Sequence, residues 1–289
     1  MSLHPQYARP RDATQAVELL GGLGTGAVVI AGGQELMPHV NYGKLMPTVY
    51  VDIGALPELK GIREADGVVS IGSLTVHREL ETDTLVQKVL PLLSYAAGLI
   101  GGGWQVRNRG TVGGNIVAMH PLYDIVPPLL ALGAEVEILA ASGMRRAPLA
   151  KVIEETSHGL GSRALIVRVL IRATYSSTGW AYEKLKVTEG AYGSANAAAV
   201  VALDGDKLSA ARLVIGAVAE RPIDASAALK GLLGRPFGPR AAQELEAACS
   251  ALVTQPIDDQ RGDAGWRRAM AGVVARRALT AAVARATAR

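Results

Sequence analysis

A chain of 289 residues with 49% hydrophobic and 19% charged residues is long enough to bury two or three cores and has the composition of an ordinary folded protein. Its one cysteine, Cys249, excludes disulfides, an iron–sulfur cluster and a multi-cysteine zinc site within the chain. The net charge of +4 is distributed along the sequence, and a single Phe leaves little material for base stacking, which argues against nucleic-acid binding.

The polar start, Met1 to Thr14, lacks the apolar core of a signal peptide, and no uncharged apolar run is long enough to span a bilayer. A cytoplasmic location is the resulting expectation. Asp12 followed by Gln15 has the form of a variant capping box, placing Ala16, Leu19 and Leu20 on one face of a helix that Gly21-Gly22 ends. Ala27 to Ile30 is a short strand, Thr48 to Ile53 a second and Val68 to Ile71 a third, the last bounded by Asp66-Gly67 and Gly72. Pro91 opens a helix through Leu92, Leu93, Ala96 and Ala97 that stops near Gly101-Gly102-Gly103. Pro127-Pro128 leads into Leu129 to Leu132, Glu135 to Ile138 alternates as a half-exposed strand, and Ala164 to Ile171 is a longer β run. Tyr175 to Gly179 reads as a linker.

Beyond it the composition turns Ala-rich: strands at Ala197 to Leu203 and Ala211 to Val218 around a turn at Asp204-Gly205-Asp206, then helices after Asp224 and Pro239. Cys249 falls in one of those helices, as a small core hydrophobe. Arg261 to Arg289, with seven Arg against one Asp around Val273, Val274, Leu279 and Val283, reads as a solvated or partner-facing helix. His4, His39, His77, His120 and His158 have no metal-ligand spacing and read as structural or solvated. Gly22-Leu23-Gly24-Thr25-Gly26-Ala27 satisfies a dinucleotide-binding spacing, yet that fingerprint needs a strand before it and a helix after, and here the order is reversed.

Two other glycine loops carry more information. Ala31-Gly32-Gly33-Gln34 and Thr111-Val112-Gly113-Gly114-Asn115 each directly abut a β-like apolar run, and Asp124 comes nine residues after Asn115. Each Gly-Gly alone is read as a turn; taken together they form two halves of a phosphate cradle, in which glycine lets consecutive N–H groups face one anion. Four or five such amides, at roughly 1.5 to 3 kcal/mol per charged hydrogen bond, would hold a diphosphate without a Lys or Arg.

The segments VVIAGGQELMPHV (Val28 to Val40), VDIGALPELKGI (Val51 to Ile62), IGSLTVHREL (Ile71 to Leu80) and QVRNRGTVGGNIVAMHPLYDIVPPLLALGAEVEI (Gln105 to Ile138) resemble the FAD-binding medium subunit of the molybdenum hydroxylases, a group that includes carbon monoxide and xanthine dehydrogenases. The resemblance covers essentially the whole chain. It implies an α+β fold: a two-lobed FAD-binding domain of the vanillyl-alcohol-oxidase (PCMH) type over residues 1–175, with lobes of roughly 1–54 and 55–175, and a small C-terminal α+β domain over 180–289. It implies that Ala31, Gly32, Gly33, Gln34 and Glu35, with Thr111, Val112, Gly113, Gly114 and Asn115, bind the FAD pyrophosphate, with Asp124 a further flavin contact. Ile166 takes the place of an apolar residue against the isoalloxazine, Lys184 that of a flavin-contacting Lys, and Tyr192 that of a ring-stacking Tyr. Two positions depart from the family pattern: Glu35 replaces a common Ser, and Ala191 replaces a usual Asp before Tyr192.

The implied function is an electron-transfer flavoprotein subunit with noncovalent FAD and no catalytic acid, base or nucleophile of its own. The molybdenum cofactor would sit on a large partner subunit and the 2Fe–2S clusters on a small one, in a heterotrimer or a dimer of heterotrimers. The alternatives are a stand-alone flavin oxidase or reductase of the same fold, for which no proton-donor or flavin-attachment motif is recognisable, and a scaffold that has lost its cofactor, against which the intact glycine loops argue.

Overall fold

The computed structural model describes residues 4–155, 163–173 and 178–288, so that His158 and most of the Tyr175 to Gly179 linker lie outside the described residues. The chain forms two compact units. One comprises residues 1–79, 104–119 and 133–171, the other residues 80–103, 120–132 and 172–289.

In the first unit, β1 (Gln6–Ala8), β2 (Ala27–Ile30) and β3 (Val49–Asp52) make a parallel sheet in the order β1-β3-β2. Parallel neighbours need a crossover, and the helix Ala13–Leu23 supplies it between β1 and β2. Asp12 caps that helix by accepting from the Gln15 amide at 2.7 Å, while the Gln15 side chain accepts from the Arg11 amide, so the variant capping box forms. The helix does not end at Gly21-Gly22. It runs through both to Gly24, whose φ of 75° terminates it. Burial of Ala13, Ala16, Val17 and Leu20 against the sheet outweighs the roughly 1 kcal/mol that each glycine costs. The Gly24–Gly26 segment is a single tight turn leading directly into β2, so the glycine order is helix, turn, strand.

A second sheet of this unit runs β4-β5-β8-β6-β7, from β4 (Ile62–Ala65), β5 (Val68–Gly72), β6 (Glu135–Ala140), β7 (Gly143–Pro148) and β8 (Ala164–Arg172). Asp66 and Gly67, with φ of 51° and 69°, make the two-residue hairpin between β4 and β5, matching strand twist as both-positive turns do. Leu165 and Val167 of β8 join Val17, Leu20, Val51, Leu56 and Leu59 in one core.

In the second unit, β9 (Gly179–Leu185), β10 (Ala195–Asp204), β11 (Lys207–Gly216) and β12 (Ile223–Asp224) form an antiparallel sheet in the order β12-β11-β10-β9. The helix Ala264–Thr287 lies on it. Its apolar side, Ala271, Val274, Ala275, Ala278, Leu279 and Ala282, is buried in one core with Ala195, Ala197 and Ala199. The sequence reading of this helix as solvated or partner-facing is therefore corrected: it is a core helix, and its alanines, too small to mark an apolar stripe by size, are what let backbone approach backbone. Arg268, Arg277 and Arg285 face outward. Cys249 lies in the same core, where burial pushes its thiol up to about 12. No described helix is long and apolar enough to cross a membrane.

The helix Ala264–Thr287 approaches its neighbour closely at Gly272, where a Cβ would overlap the Glu246 carbonyl oxygen and the Ser250 hydroxyl of the helix Pro239–Leu252. Gly272→Ala is expected to lower stability by about 1 to 3 kcal/mol, as overpacking does. Urea titration should show a lower midpoint at unchanged m.

Candidate functional site

β2 ends at Ile30 and delivers Ala31 to Glu35 as a loop, closed by the bond from the Met37 amide to the Gly33 carbonyl (3.0 Å). Gly33 has φ 73°, which favours glycine. Gly32 is required for a different reason: a Cβ there would overlap the Arg109 carbonyl, 2.8 Å from its carbon, and would lie 3.3 Å from the Gly110 Cα. Gly32 thus lies against the two residues that lead into Thr111.

The amides of the two motifs are used differently. Val112 N–H donates to the Thr75 carbonyl (3.0 Å), Gly113 N–H to the Ser73 carbonyl (2.8 Å), Gly114 N–H to the Thr111 hydroxyl (3.1 Å) and Asn115 N–H to the Thr111 carbonyl (2.9 Å). Thr111 is the N-cap of a helix, Val112–Ala118. The sequence reading of Thr111 to Asn115 as a loop of free donors is corrected: it is a capped helix start whose amides are committed. Gly113 is glycine because a Cβ would press on Ser73 at 2.7 Å. By contrast, the amides of Gly32, Gly33 and Gln34 have no hydrogen-bond partner among the described residues.

Unsatisfied polar atoms are rare inside proteins, and several buried side-chain atoms of this unit are of that kind. Asn115 Oδ1, Ser73 Oγ and His77 Nδ1 are buried without a hydrogen bond. His77 donates its amide to the Gly110 carbonyl (3.0 Å), and its ring lies 2.9 Å from where a Gly110 Cβ would be, so it backs the turn that Gly32 touches. Burial holds its imidazole down to about 4, which keeps it neutral. Glu35, the departure from the family pattern, has Oε1 at 3.6 Å from His39 Nε2, one helical turn on. Ile166 is buried on β8, paired with Ile138 of β6.

The remaining candidates lie in the second unit. Asp124 and Lys184, 60 residues apart, form a buried ion pair: Lys184 Nζ donates to Asp124 Oδ2 at 2.8 Å and to the Leu99 carbonyl at 2.9 Å. Tyr182 donates its hydroxyl to the other carboxylate oxygen at 2.8 Å. Burial raises the Asp124 carboxyl above its ordinary value, against the pull of the Lys184 charge and the bonds from Lys184, Tyr182 and the Gly101 backbone. The same burial, with the Asp124 charge, pushes the Tyr182 phenol well up. Tyr192 is 40% exposed and stacks on His120 and Tyr123, with ring centroids 5.8 and 6.0 Å away.

Residues 3–172 match the model of the FAD-binding domain in molybdopterin dehydrogenase, more than half of the chain. The chain belongs to this family. The following residues, 180–282, match the C-terminal domain of the carbon monoxide dehydrogenase flavoprotein. The medium chain of carbon monoxide dehydrogenase from Hydrogenophaga pseudoflava is 38% identical over 281 residues, covering 97% of each chain. A solved structure of carbon monoxide dehydrogenase from that organism, lacking the Mo-pyranopterin moiety of its cofactor, superimposes with a TM-score of 0.94 over 99% of both chains. The 6-hydroxypseudooxynicotine dehydrogenase complex subunit alpha of Paenarthrobacter nicotinovorans is 32% identical over 97% of this chain and 95% of its own. This molybdopterin-dehydrogenase flavoprotein is thus an oxidoreductase subunit with a FAD-binding domain, and the mixed helix-and-sheet architecture follows the family.

Tyr182 could have been found from sequence. It stands two residues before Lys184, and on a strand that spacing puts both side chains on one face. Ser73 carries no such signal, because its role depends on the distant Gly113 meeting it.

Proposed function

We propose that this chain holds one FAD noncovalently, through the amides of Gly32, Gly33 and Gln34, and serves as the electron-transfer subunit of a molybdenum hydroxylase. Those three amides, unpaired on a loop pressed against Arg109 and Gly110, carry the reading. Neighbouring N–H groups without a protein partner suit a diphosphate, which offers them a charged acceptor. Ser73 Oγ, buried without a hydrogen bond, supports the reading as a further donor to the same ligand, and Asn115 Oδ1 as an acceptor for its hydroxyl or amino groups. Because the amides of Val112 to Asn115 are taken up within the protein, the reading gives the second motif a supporting role.

FAD supplies the capacity to take up and release electrons singly or in pairs. What the chain supplies is grip and environment: Asp124, Ile166, Lys184 and Tyr192 are the proposed contacts of the flavin beyond the diphosphate. The proposed partners are a large subunit with the molybdenum cofactor and a small subunit with 2Fe–2S clusters, assembled as a heterotrimer or a pair of them in the cytoplasm. With FAD bound, this chain would take electrons delivered by the partner's clusters and give them to an external acceptor. The hydroxylated substrate is chosen on the large subunit, as relatives named for carbon monoxide and for a nicotine derivative share this chain type.

Acid or heat denaturation of the purified chain should release FAD into the supernatant at a ratio approaching one per chain. FMN, absence of flavin, or flavin retained by the denatured polypeptide would each sink the reading.

A further inference from the structure

Arg267, in the first turn of the long helix, is completely buried. A charge that deep needs its donors matched, and four hydrogen bonds meet it. Nη1 donates to the Ser194 carbonyl at 2.8 Å and to the Ala217 carbonyl, Nε to the Gly262 carbonyl at 3.2 Å, and Nη2 to Asp259 Oδ1 at 2.5 Å. Ala217 has φ 60°, a left-handed conformation that a non-glycine residue keeps only when its surroundings hold it. The guanidinium bond to its carbonyl is one such hold. Through Ser194, the same side chain fixes the backbone two residues after Tyr192.

Asp259 has a second cationic partner. It accepts from the Arg261 amide at 2.7 Å, and its other oxygen lies 3.7 Å from Arg261 Nη1. The Arg261 guanidinium stands 5.5 Å from the centre of the Tyr192 ring, which in turn lies parallel, within 27°, to His120 and Tyr123. One carboxylate therefore links the buried arginine under the Tyr192 loop to the exposed arginine over the Tyr192 ring.

We propose that Arg261, held by Asp259, is a positioning residue for Tyr192: its guanidinium sets the plane of the ring, while Arg267 sets the backbone that carries it. The role rests on the proposed placement of Tyr192 against the flavin ring. Tyr192, partly exposed on a loop beside the His120 and Tyr123 rings, needs its ring plane selected. A cation over its face, fixed by a carboxylate that is itself anchored, supplies the selection. Lysine in place of Arg261 keeps the charge, and glutamine removes it while keeping similar bulk.

Time-resolved emission of FAD bound to the full chain tests this, because a phenol stacked on the isoalloxazine quenches it, so the quenched and unquenched amplitudes count stacked and unstacked Tyr192. Tyr192→Leu should abolish the quenched component. Arg261→Gln should lower the ratio of quenched to unquenched amplitude roughly two- to five-fold, the range a cation–π contact at an accessible site carries. Arg261→Lys should recover most of that ratio, and Arg261→Gln added to Tyr192→Leu should change nothing further. If Tyr192→Leu loses the quenched component while Arg261→Gln matches wild type, Arg261 does not position the ring, and the placement of Tyr192 stands. If Tyr192→Leu itself matches wild type, Tyr192 does not face the flavin and the role of Arg261 falls with it. An effect of Arg261→Gln that persists undiminished in the Tyr192→Leu background would also overturn the proposal, since it would not act through the ring.

Discussion

Gly32→Ala is expected to weaken FAD binding by about 10²- to 10⁴-fold. The added Cβ would overlap a backbone carbonyl, Arg109 O, which cannot rotate aside as a side chain would. The loop must therefore lift, and with it the amides of Gly32, Gly33 and Gln34. Losing two of three charged hydrogen bonds at roughly 1.5 to 3 kcal/mol each gives that range. Gly21→Ala is the control in the same unit: it is helical, a Cβ there meets nothing within 4 Å, and alanine should stabilise the helix by about 1 kcal/mol with FAD affinity unchanged. Equilibrium titration of both variants with FAD, after circular dichroism shows each folded, decides the matter. Equal affinities would mean that the diphosphate is held elsewhere.

The second large effect comes from the buried ion pair. Lys184→Met should destabilise the protein by about 3 to 5 kcal/mol at pH 8, because it leaves Asp124 ionised, buried and without its cation. Burial already raises the folded-state pKa of Asp124, and the variant loses both restraints that Lys184 provides, its charge and its hydrogen bond. The folded variant thus holds a proton at pH values where the unfolded chain has released it. Its stability deficit is smallest in acid, below the ordinary carboxylate pKa, and grows as pH rises through the raised value. Asp124→Asn on top of Lys184→Met removes the buried charge and should recover much of the loss at pH 8. Urea denaturation from pH 5 to 8 provides the measurement, and a pH-independent deficit would show that the pair is not what Lys184 supports.

The same pair bears on what the sequence conveyed. Asp124 and Lys184 were legible as separate candidates through family resemblance, but not as partners, since the β9 strand and the turn before Ile125 are joined only by folding. Strands with β-branched runs, such as β2, β3 and β8, were readable because burial and propensity agree there. β4 and β7 were not: Ile-Arg-Glu-Ala and Gly-Met-Arg-Arg-Ala-Pro are exposed outer strands of the sheet, with too few apolar positions to show a period. Gly113-Gly114 illustrates the opposite error. A glycine pair has the same appearance whether glycine is needed for free amides or for contact with Ser73, and only the partners of Val112 to Asn115 distinguish the two.

The division of the chain into interleaved units bears on the order of synthesis. The polypeptide passes from one unit to the other after residues 79, 103, 119, 132 and 171. A ribosome that has made the first 132 residues has therefore released pieces of both units and completed neither. The first can close only when β6 and β8 have emerged to join β5, and the helices at 84–98 and 126–131 must wait for the sheet made last. Nascent chains in that state expose apolar faces for longer than those of domains laid end to end, and long-range pairing of this kind is intrinsically slow. The same interleaving means that a nick in either excursion cuts the covalent path between pieces of one unit.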